Sequence, residues 1–243
     1  MSKTSKKLYI IFQGTGQKIK KDWDAKTNPF LSALLKKGKV FLYQNRWFEK
    51  LDYPLSYLSM EGFMEDVYYK IIKEIPNAKK YKWIPIGFSF GGCFAYVFSF
   101  LYKKYCDKCV LIDNPPYFTM KANKARIRAI EKNLLGHKFR RLTEKEFLKM
   151  KKDDLIDYGV ISYAKYIQKY IINRKLEVPI VGYYNIYSPD IYSKEFEVYL
   201  NKQVFEELNK LGKLENFNFV LFENVGHNIY NNKDARKIIL KEI

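Results

Sequence analysis

The chain has 243 residues, of which 47% are hydrophobic and 29% are charged, and its formal net charge is +18. This profile fits one mid-sized globular domain with room for an insertion, and a domain of this size needs neither disulfides nor a structural metal to hold its core. The sparse cysteines Cys93, Cys106 and Cys109 argue against a disulfide-built secreted domain. The positive field favours anionic partners, such as nucleic acid, acidic lipid or an anionic substrate, but a lysine-rich solubility surface is the preferred explanation.

Short apolar runs that end in turn residues alternate with segments of helical period along most of the chain. The predicted strands are residues 7–12, 39–43, 83–86, 109–112, 178–184 and 219–222. The predicted helices are residues 29–35, 61–75, 92–102, 194–211 and 234–243. This alternation predicts an α/β fold with a doubly wound, mostly parallel sheet that helices cover on both faces. Sites in such sheets lie in loops at the carboxyl ends of the strands.

The uncharged stretch 83–102 has about the length of a membrane span. Pro85, Gly87 and Gly91 interrupt it, so a strand, a tight turn and a buried helix explain it better. The basic start of the chain is followed by only a short apolar run, which does not fit a signal peptide. We therefore expect no transmembrane segment and a cytoplasmic location.

The stretch 117–177 breaks the alternation, because it has helical patterns and no convincing strand. It carries sixteen Lys or Arg residues against seven Asp or Glu. The expected organisation is a core formed by residues 1–116 and 178–243, with 117–177 inserted as a basic helical segment.

The strongest chemical motif is Gly87-Phe88-Ser89-Phe90-Gly91, which matches G-x-S-x-G. A serine hydroxyl becomes a useful nucleophile only when a neighbouring base takes its proton. A strained strand-to-helix turn exposes that hydroxyl, and the flanking glycines allow the turn to close. An apolar strand precedes this motif and an apolar helix follows it, so its context fits that geometry.

With this motif, the sequence resembles the α/β-hydrolase superfamily, in its compact form that lacks the first strands and carries a helical lid. The resemblance extends from Tyr9 to Ile243, and the order of parts matches: oxyanion loop, nucleophile elbow, lid, acid loop and histidine loop. It implies that residues 117–177 are the lid, and that Ser89 is the nucleophile.

His227 is one of two histidines and lies in Asn224-Val225-Gly226-His227-Asn228, which resembles the superfamily's terminal G-H motif. A loop after the last strand suits a base that serves both nucleophile and leaving group. The other histidine, His137, lies in the basic insertion and is expected to be a solvated residue at a helix end.

Two carboxylates compete for the role of the acid that orients His227. The superfamily order favours Asp190, the only carboxylate in the loop after the strand that follows the lid. Asp113 is the rival, because some members place the acid after the preceding strand. Each is alternatively a turn-capping aspartate.

The loop Gln13-Gly14-Thr15-Gly16 stands where the family has H-G-x-G. By position, the backbone amides of Thr15 and Phe90 are expected to form the oxyanion hole. A glycine-rich loop that merely turns the chain is the alternative.

Three lid tyrosines, Tyr163, Tyr166 and Tyr170, are candidates for lining the substrate pocket, because tyrosine offers apolar contact and one polar group. The alternative is that they only pack the lid.

The resemblance implies a serine esterase that acts on a small-molecule ester and needs no cofactor or metal. An anionic substrate and an acidic membrane surface are further candidate partners. Nucleic acid is a disfavoured partner. The alternatives are a thioesterase or C–C hydrolase with the same triad, and a non-catalytic protein that binds a ligand, nucleic acid or membranes.

Overall fold

Strands and helices alternate through the part of the chain that the computed structural model describes, which is residues 6–14, 19–43, 60–113, 177–186 and 216–243. The strands in these residues are β1 (Lys7–Phe12), β2 (Lys39–Tyr43), β3 (Lys82–Phe88), β4 (Cys109–Ile112), β5 (Ile180–Ile186) and β6 (Phe217–Glu223). The helices are α1 (Ile19–Asp22), α2 (Pro29–Lys37), α3 (Met60–Glu74), α4 (Gly91–Leu101) and α5 (Lys233–Glu242), with 3-10 helices at Ala78–Lys80 and Ile229–Asn231.

The six strands form one parallel sheet in the order β2-β1-β3-β4-β5-β6. Because all strands run the same way, their carboxyl ends meet at one edge of the sheet. Gln13, Ser89 and Asp113 each come directly after a strand at that edge. The predicted fold class is confirmed, and the bounds of β1, β2 and β4 agree with the predicted strands.

Successive residues of β1 face opposite layers of the core. Ile11 belongs to the apolar cluster that includes Phe30 of α2 and Ile239 of α5. Phe12 lies on the other face, where its ring centroid is 5.6 Å from that of Phe98 in α4. Helices therefore cover both faces of the sheet, and α4 is buried along residues 91–99 as its uncharged sequence predicts.

Three strands differ from the predicted bounds: β3 extends beyond 83–86 at both ends, and β5 and β6 differ for local reasons. The fifth strand begins at Ile180 rather than at Val178, since Pro179 has no N–H to donate to a ladder. β6 extends to Phe217 because a strand at the sheet edge tolerates the polar Asn218, which breaks the apolar run in the sequence. Helix α1 was not predicted, because four residues are too few to show a helical period.

Contacts between Cα atoms divide the chain into two compact units. One consists of Met1–Gln44, Ile71–Pro116 and Leu176–Ile243, and the other of Asn45–Lys70 and Tyr117–Lys175. The sheet belongs to the first unit. The predicted helix at 194–211 and the predicted lid at 117–177 fall outside the described residues, apart from Glu177, so they remain predictions. No helix among the described residues is long and apolar enough to cross a membrane.

Candidate active site

Ser89 lies on a strained turn between β3 and α4. Its φ of 49° is in the left-handed region, which costs a non-glycine residue on the order of 1–3 kcal/mol unless the surroundings impose it. Two hydrogen bonds impose it here: the Ser89 N–H donates to the Ile112 carbonyl at 2.9 Å, and the Gly92 N–H donates to the Ser89 carbonyl at 2.9 Å. Ser89 is partly exposed although Phe88 and Phe90 on either side are buried, so the turn presents the serine at the surface of the site.

Two glycines allow this turn to fit. A Cβ at Gly87 would meet the backbone of Gly91 and Gly92, and a Cβ at Gly91 would meet the carbonyl oxygens of Phe12 and Gln13. These are backbone atoms, which cannot swing aside as a flexible side chain does. The second glycine therefore lets the start of α4 lie directly against the end of β1, beside the predicted oxyanion loop.

His227 lies in the loop between β6 and the 3-10 helix at Ile229–Asn231. Asn224 and Gly226 have φ values of 54° and 82°, which asparagine and glycine adopt more readily than other residues. These two residues turn the chain back toward the end of β4. There, the Nδ1 atom of His227 lies 2.5 Å from the Oδ2 atom of Asp113, a residue that is only 3% exposed.

The other carboxylate oxygen of Asp113 and the buried side chain of Asn185 extend this contact. Asp113 Oδ1 accepts a hydrogen bond from the Asn185 N–H at 3.2 Å, and Asn185 Oδ1 accepts one from the Val225 N–H at 2.8 Å. The N–H of Asp113 itself donates to the Tyr183 carbonyl at 2.7 Å. Asn185 therefore connects the loop that carries the carboxylate to the loop that carries His227, a role that was not predicted from the sequence.

The carboxylate beside His227 is thus Asp113, which the superfamily order placed second. The first choice, Asp190, lies outside the described residues, so its prediction stays untested. An imidazole Nδ1–H donates one good hydrogen bond at a time, and Asp113 receives it in this structure. This geometry favours Asp113 as the orienting acid.

The predicted oxyanion hole is described only in part. Gly14 lines the same cavity as Ser89, whereas Thr15 lies outside the described residues. Phe90 stands directly before α4, at the amino end where a helix carries partial positive charge. The prediction for Thr15 and Phe90 stays a prediction.

Ser89 and His227 line a cavity of about 520 Å³. Its other described lining residues are largely polar: Gly14, Lys21, Asp22, Thr27, Asn28, Phe88, Ile112, Asn228, Tyr230 and Asn231.

The polar residues that line the cavity from α1 to the start of α2 were not singled out from the sequence. The Asn28-Pro29 pair, a typical helix start, was the available signal. The Asn28 side chain accepts from the Leu31 N–H at 3.0 Å and donates to the Asp22 carbonyl at 2.9 Å, which holds this wall of the cavity in place.

Aromatic packing supports the elbow and the histidine loop together. The ring centroid of Phe88 lies 4.7 Å from that of Trp23 and 4.7 Å from that of Tyr230. Phe30 of α2 meets Phe88 edge-on at 5.7 Å. Because Phe88 precedes Ser89 and Tyr230 closely follows His227, this cluster restrains both segments.

The cysteines show no sign of a redox or metal role. Cys93, Cys106 and Cys109 are thiols that form no disulfide. Burial raises the pKa of Cys109 to about 12 and raises that of Cys106 as well, which keeps both in the unreactive thiol form. Within the described ranges, no group of three or more His, Cys, Asp or Glu side chains is placed to hold a metal ion.

The proposed pocket tyrosines Tyr163, Tyr166 and Tyr170 lie outside the described ranges, so their role stays a prediction.

Comparison with family models found no match, and comparison with curated proteins found none either. Solved structures do match. A carboxylesterase structure from the thaumarchaeon Nitrososphaera gargenis has a TM-score of 0.61 and 14% identity, and the match covers 98% of this chain and 90% of that one. A marine microorganism esterase has a TM-score of 0.58 and 18% identity, with coverage of 98% and 94%. The RedJ thioesterase of Streptomyces coelicolor has a TM-score of 0.57 and 13% identity, with coverage of 98% and 85%.

These identities are too low to carry an activity from one protein to another, but the shared architecture extends over nearly the whole chain. This likeness agrees with the parallel sheet and the helices that cover it. The chain therefore has the α/β-hydrolase fold.

Proposed function

We propose that this chain is a serine hydrolase that cleaves carboxylic esters, with Ser89 as nucleophile, His227 as general base and Asp113 as the residue that orients His227. The observation that carries the proposal is the contact between His227 Nδ1 and Asp113, in a cavity that Ser89 also lines. A carboxylate on Nδ1 fixes the tautomer in which Nε2 is unprotonated and can accept a proton.

The steps follow from these roles. Ser89 Oγ forms a bond to the acyl carbon while its proton passes to His227 Nε2, and the carbonyl oxygen becomes an oxyanion. The intermediate collapses, the bond to the alcohol oxygen breaks, and His227 returns the proton to that oxygen. Water then attacks the acyl-enzyme with His227 again as base, which releases the acid and restores Ser89.

The oxyanion is proposed to be held by the amides of Phe90 and Thr15. Phe90 is suited to this by its position at the amino end of α4, where a backbone N–H and the helix dipole favour negative charge. The close packing of Gly91 on Phe12 and Gln13 would keep the two donors near each other.

Within the described residues, the cavity wall favours a compact ester with polar substituents over a long acyl chain. Lys21, Thr27 and Asn231 offer hydrogen-bonding groups there, and few of the described lining side chains are apolar. The tyrosines Tyr163, Tyr166 and Tyr170 stay proposed contributors from the lid. A thioester has the same acyl carbon and would follow the same steps.

The experiment is a screen of nitrophenyl esters of graded chain length, with thioesters of the same acyl groups, on the wild type and on Ser89→Ala. Loss of a nucleophile of this kind lowers turnover by about 10⁶. Ser99→Ala is the matched control, because it also removes a serine hydroxyl, but Ser99 is buried in α4 and does not line the cavity. Preference for the thioesters would change the substrate class, and an active Ser89→Ala enzyme would overturn the proposal.

A further inference from the structure

A second groove lies at the amino ends of the strands, where β1 and β2 begin, whereas Ser89 lies at their carboxyl ends. Its volume is about 680 Å³. Five of the described lining residues are lysines, and they come from two chain segments: Lys6, Lys7, Lys36, Lys37 and Lys39. The described lining residues include no carboxylate. The groove is independent of the catalytic proposal, because β1 separates the two edges by about 20 Å.

A close backbone approach brings these lysines together. A Cβ at Gly38 would lie 2.5 Å from the carbonyl oxygen of Lys7 and 3.2 Å from the ring of Tyr9. Glycine therefore lets the turn between α2 and β2 rest directly on the start of β1. The lysines that flank Gly38 are thereby placed beside those that enter β1.

The charges of the groove are only partly compensated. Lys7 Nζ donates to the Ile243 main-chain oxygen at 3.0 Å, and Lys37 Nζ donates to the Leu240 carbonyl at 2.6 Å. The ammonium groups of Lys6, Lys36 and Lys39 make no hydrogen bond or ion pair with any described residue. Burial, followed by the charges of Lys108 and Lys37, lowers the pKa of Lys7, as expected where positive charges accumulate.

The lining also includes an apolar surface. Leu35 is 49% exposed, and Val40, Ile75 and Tyr81 are half-buried around the groove. The volume falls in the range of small-molecule sites, which run from about 300 to 1,000 Å³. A ligand that fits both features carries several negative charges and an apolar or aromatic part.

We infer that this groove binds an organic phosphate, with its phosphates on Lys6, Lys36 and Lys39 and its organic part on Leu35 and Tyr81. Lysine ammonium groups are point charges that suit tetrahedral, multiply charged phosphates.

The test is calorimetric titration of the full chain with adenosine triphosphate, without magnesium and at constant ionic strength. The wild type is expected to bind one equivalent saturably and not to bind adenosine. The triple variant Lys6→Gln, Lys36→Gln and Lys39→Gln is expected to bind at least roughly tenfold more weakly, since three charge-assisted contacts are lost. These side chains are solvent-exposed, and unfolding curves without ligand verify that the fold is kept.

The matched control removes the same charge elsewhere, as Lys26→Gln, Lys73→Gln and Lys233→Gln, at exposed positions that do not line the groove. Its affinity is expected to stay within about twofold of the wild type, because distant sites act independently. Equal weakening of both triple variants would mean general charge attraction and would overturn the inference. The absence of saturable binding of adenosine triphosphate would also overturn the inference. Binding to phosphatidylserine vesicles without binding to the nucleotide would overturn it as well.

Discussion

The Oδ2 atom of Asp113 lies 2.5 Å from Nδ1 of His227, although the two residues are 114 positions apart in the chain. The contact forms because β4 and β6 end at the same edge of the sheet, with β5 between them. The carboxylate is buried and accepts a second hydrogen bond from the Asn185 N–H. Such an acceptor is held in place before any substrate arrives.

Asp113→Asn is therefore expected to lower kcat by roughly 10⁴, because an amide no longer selects the productive tautomer of His227. The comparison variant is Asp190→Asn, which removes the carboxylate favoured by the superfamily order. We expect it to change kcat far less. Steady-state kinetics with a nitrophenyl ester decide the matter, and greater damage from Asp190→Asn would place the acid in the other loop.

Asn185 is expected to act as a positioning residue through its side-chain oxygen. Asn185→Ala leaves the Val225 N–H without its acceptor and loosens the histidine loop, so kcat/KM should fall by roughly 10-fold to 100-fold.

Asn185→Asp keeps that acceptor and the side-chain shape but adds a negative charge near Asp113. Negative charge favours protonated His227, so the acidic limb of the kcat/KM profile should move to higher pH. A purely structural role for Asn185 predicts no such movement.

The strained turn at Ser89 predicts an unusual order of stability. Ser89→Gly and Ser89→Ala both remove the hydroxyl, but only alanine keeps a Cβ at a φ of 49°. The glycine variant should be more stable than the alanine variant by about 1 kcal/mol in denaturant unfolding.

Ser99 provides the control for this comparison, since it lies within α4 and glycine is unfavourable in a helix interior by about 1 kcal/mol. At Ser99 the order should reverse. Equal stability of the two Ser89 variants would mean that the turn is not strained in solution.

The main features of the sheet were predictable from the sequence because they depend on local patterns. Continuous apolar runs identify strands buried on both faces, and β1, β2 and β4 accordingly begin and end where predicted. Ser89 was predictable for the same reason, since its flanking glycines and its strand and helix are adjacent in the chain.

The carboxylate partner of His227 was harder to predict, because the choice depends on tertiary structure. Asp113 and Asp190 both follow an apolar run, and nothing local shows which loop reaches the imidazole. The deciding features are the left-handed φ of 52° at Asp113 and the bond from Asn185, which is remote in sequence. The cavity wall at α1 was missed for a related reason, since so short a helix has no period.

The most direct test of the proposed triad is labelling of the intact protein with a fluorophosphonate, followed by mass spectrometry of the peptides. The triad predicts a single adduct on Ser89, with a labelling rate that falls strongly in His227→Ala and Asp113→Asn because the hydroxyl is no longer activated. Asp190→Asn should label at nearly the wild-type rate. No adduct on the folded protein, or an adduct on another serine that persists in Ser89→Ala, would contradict the proposed triad.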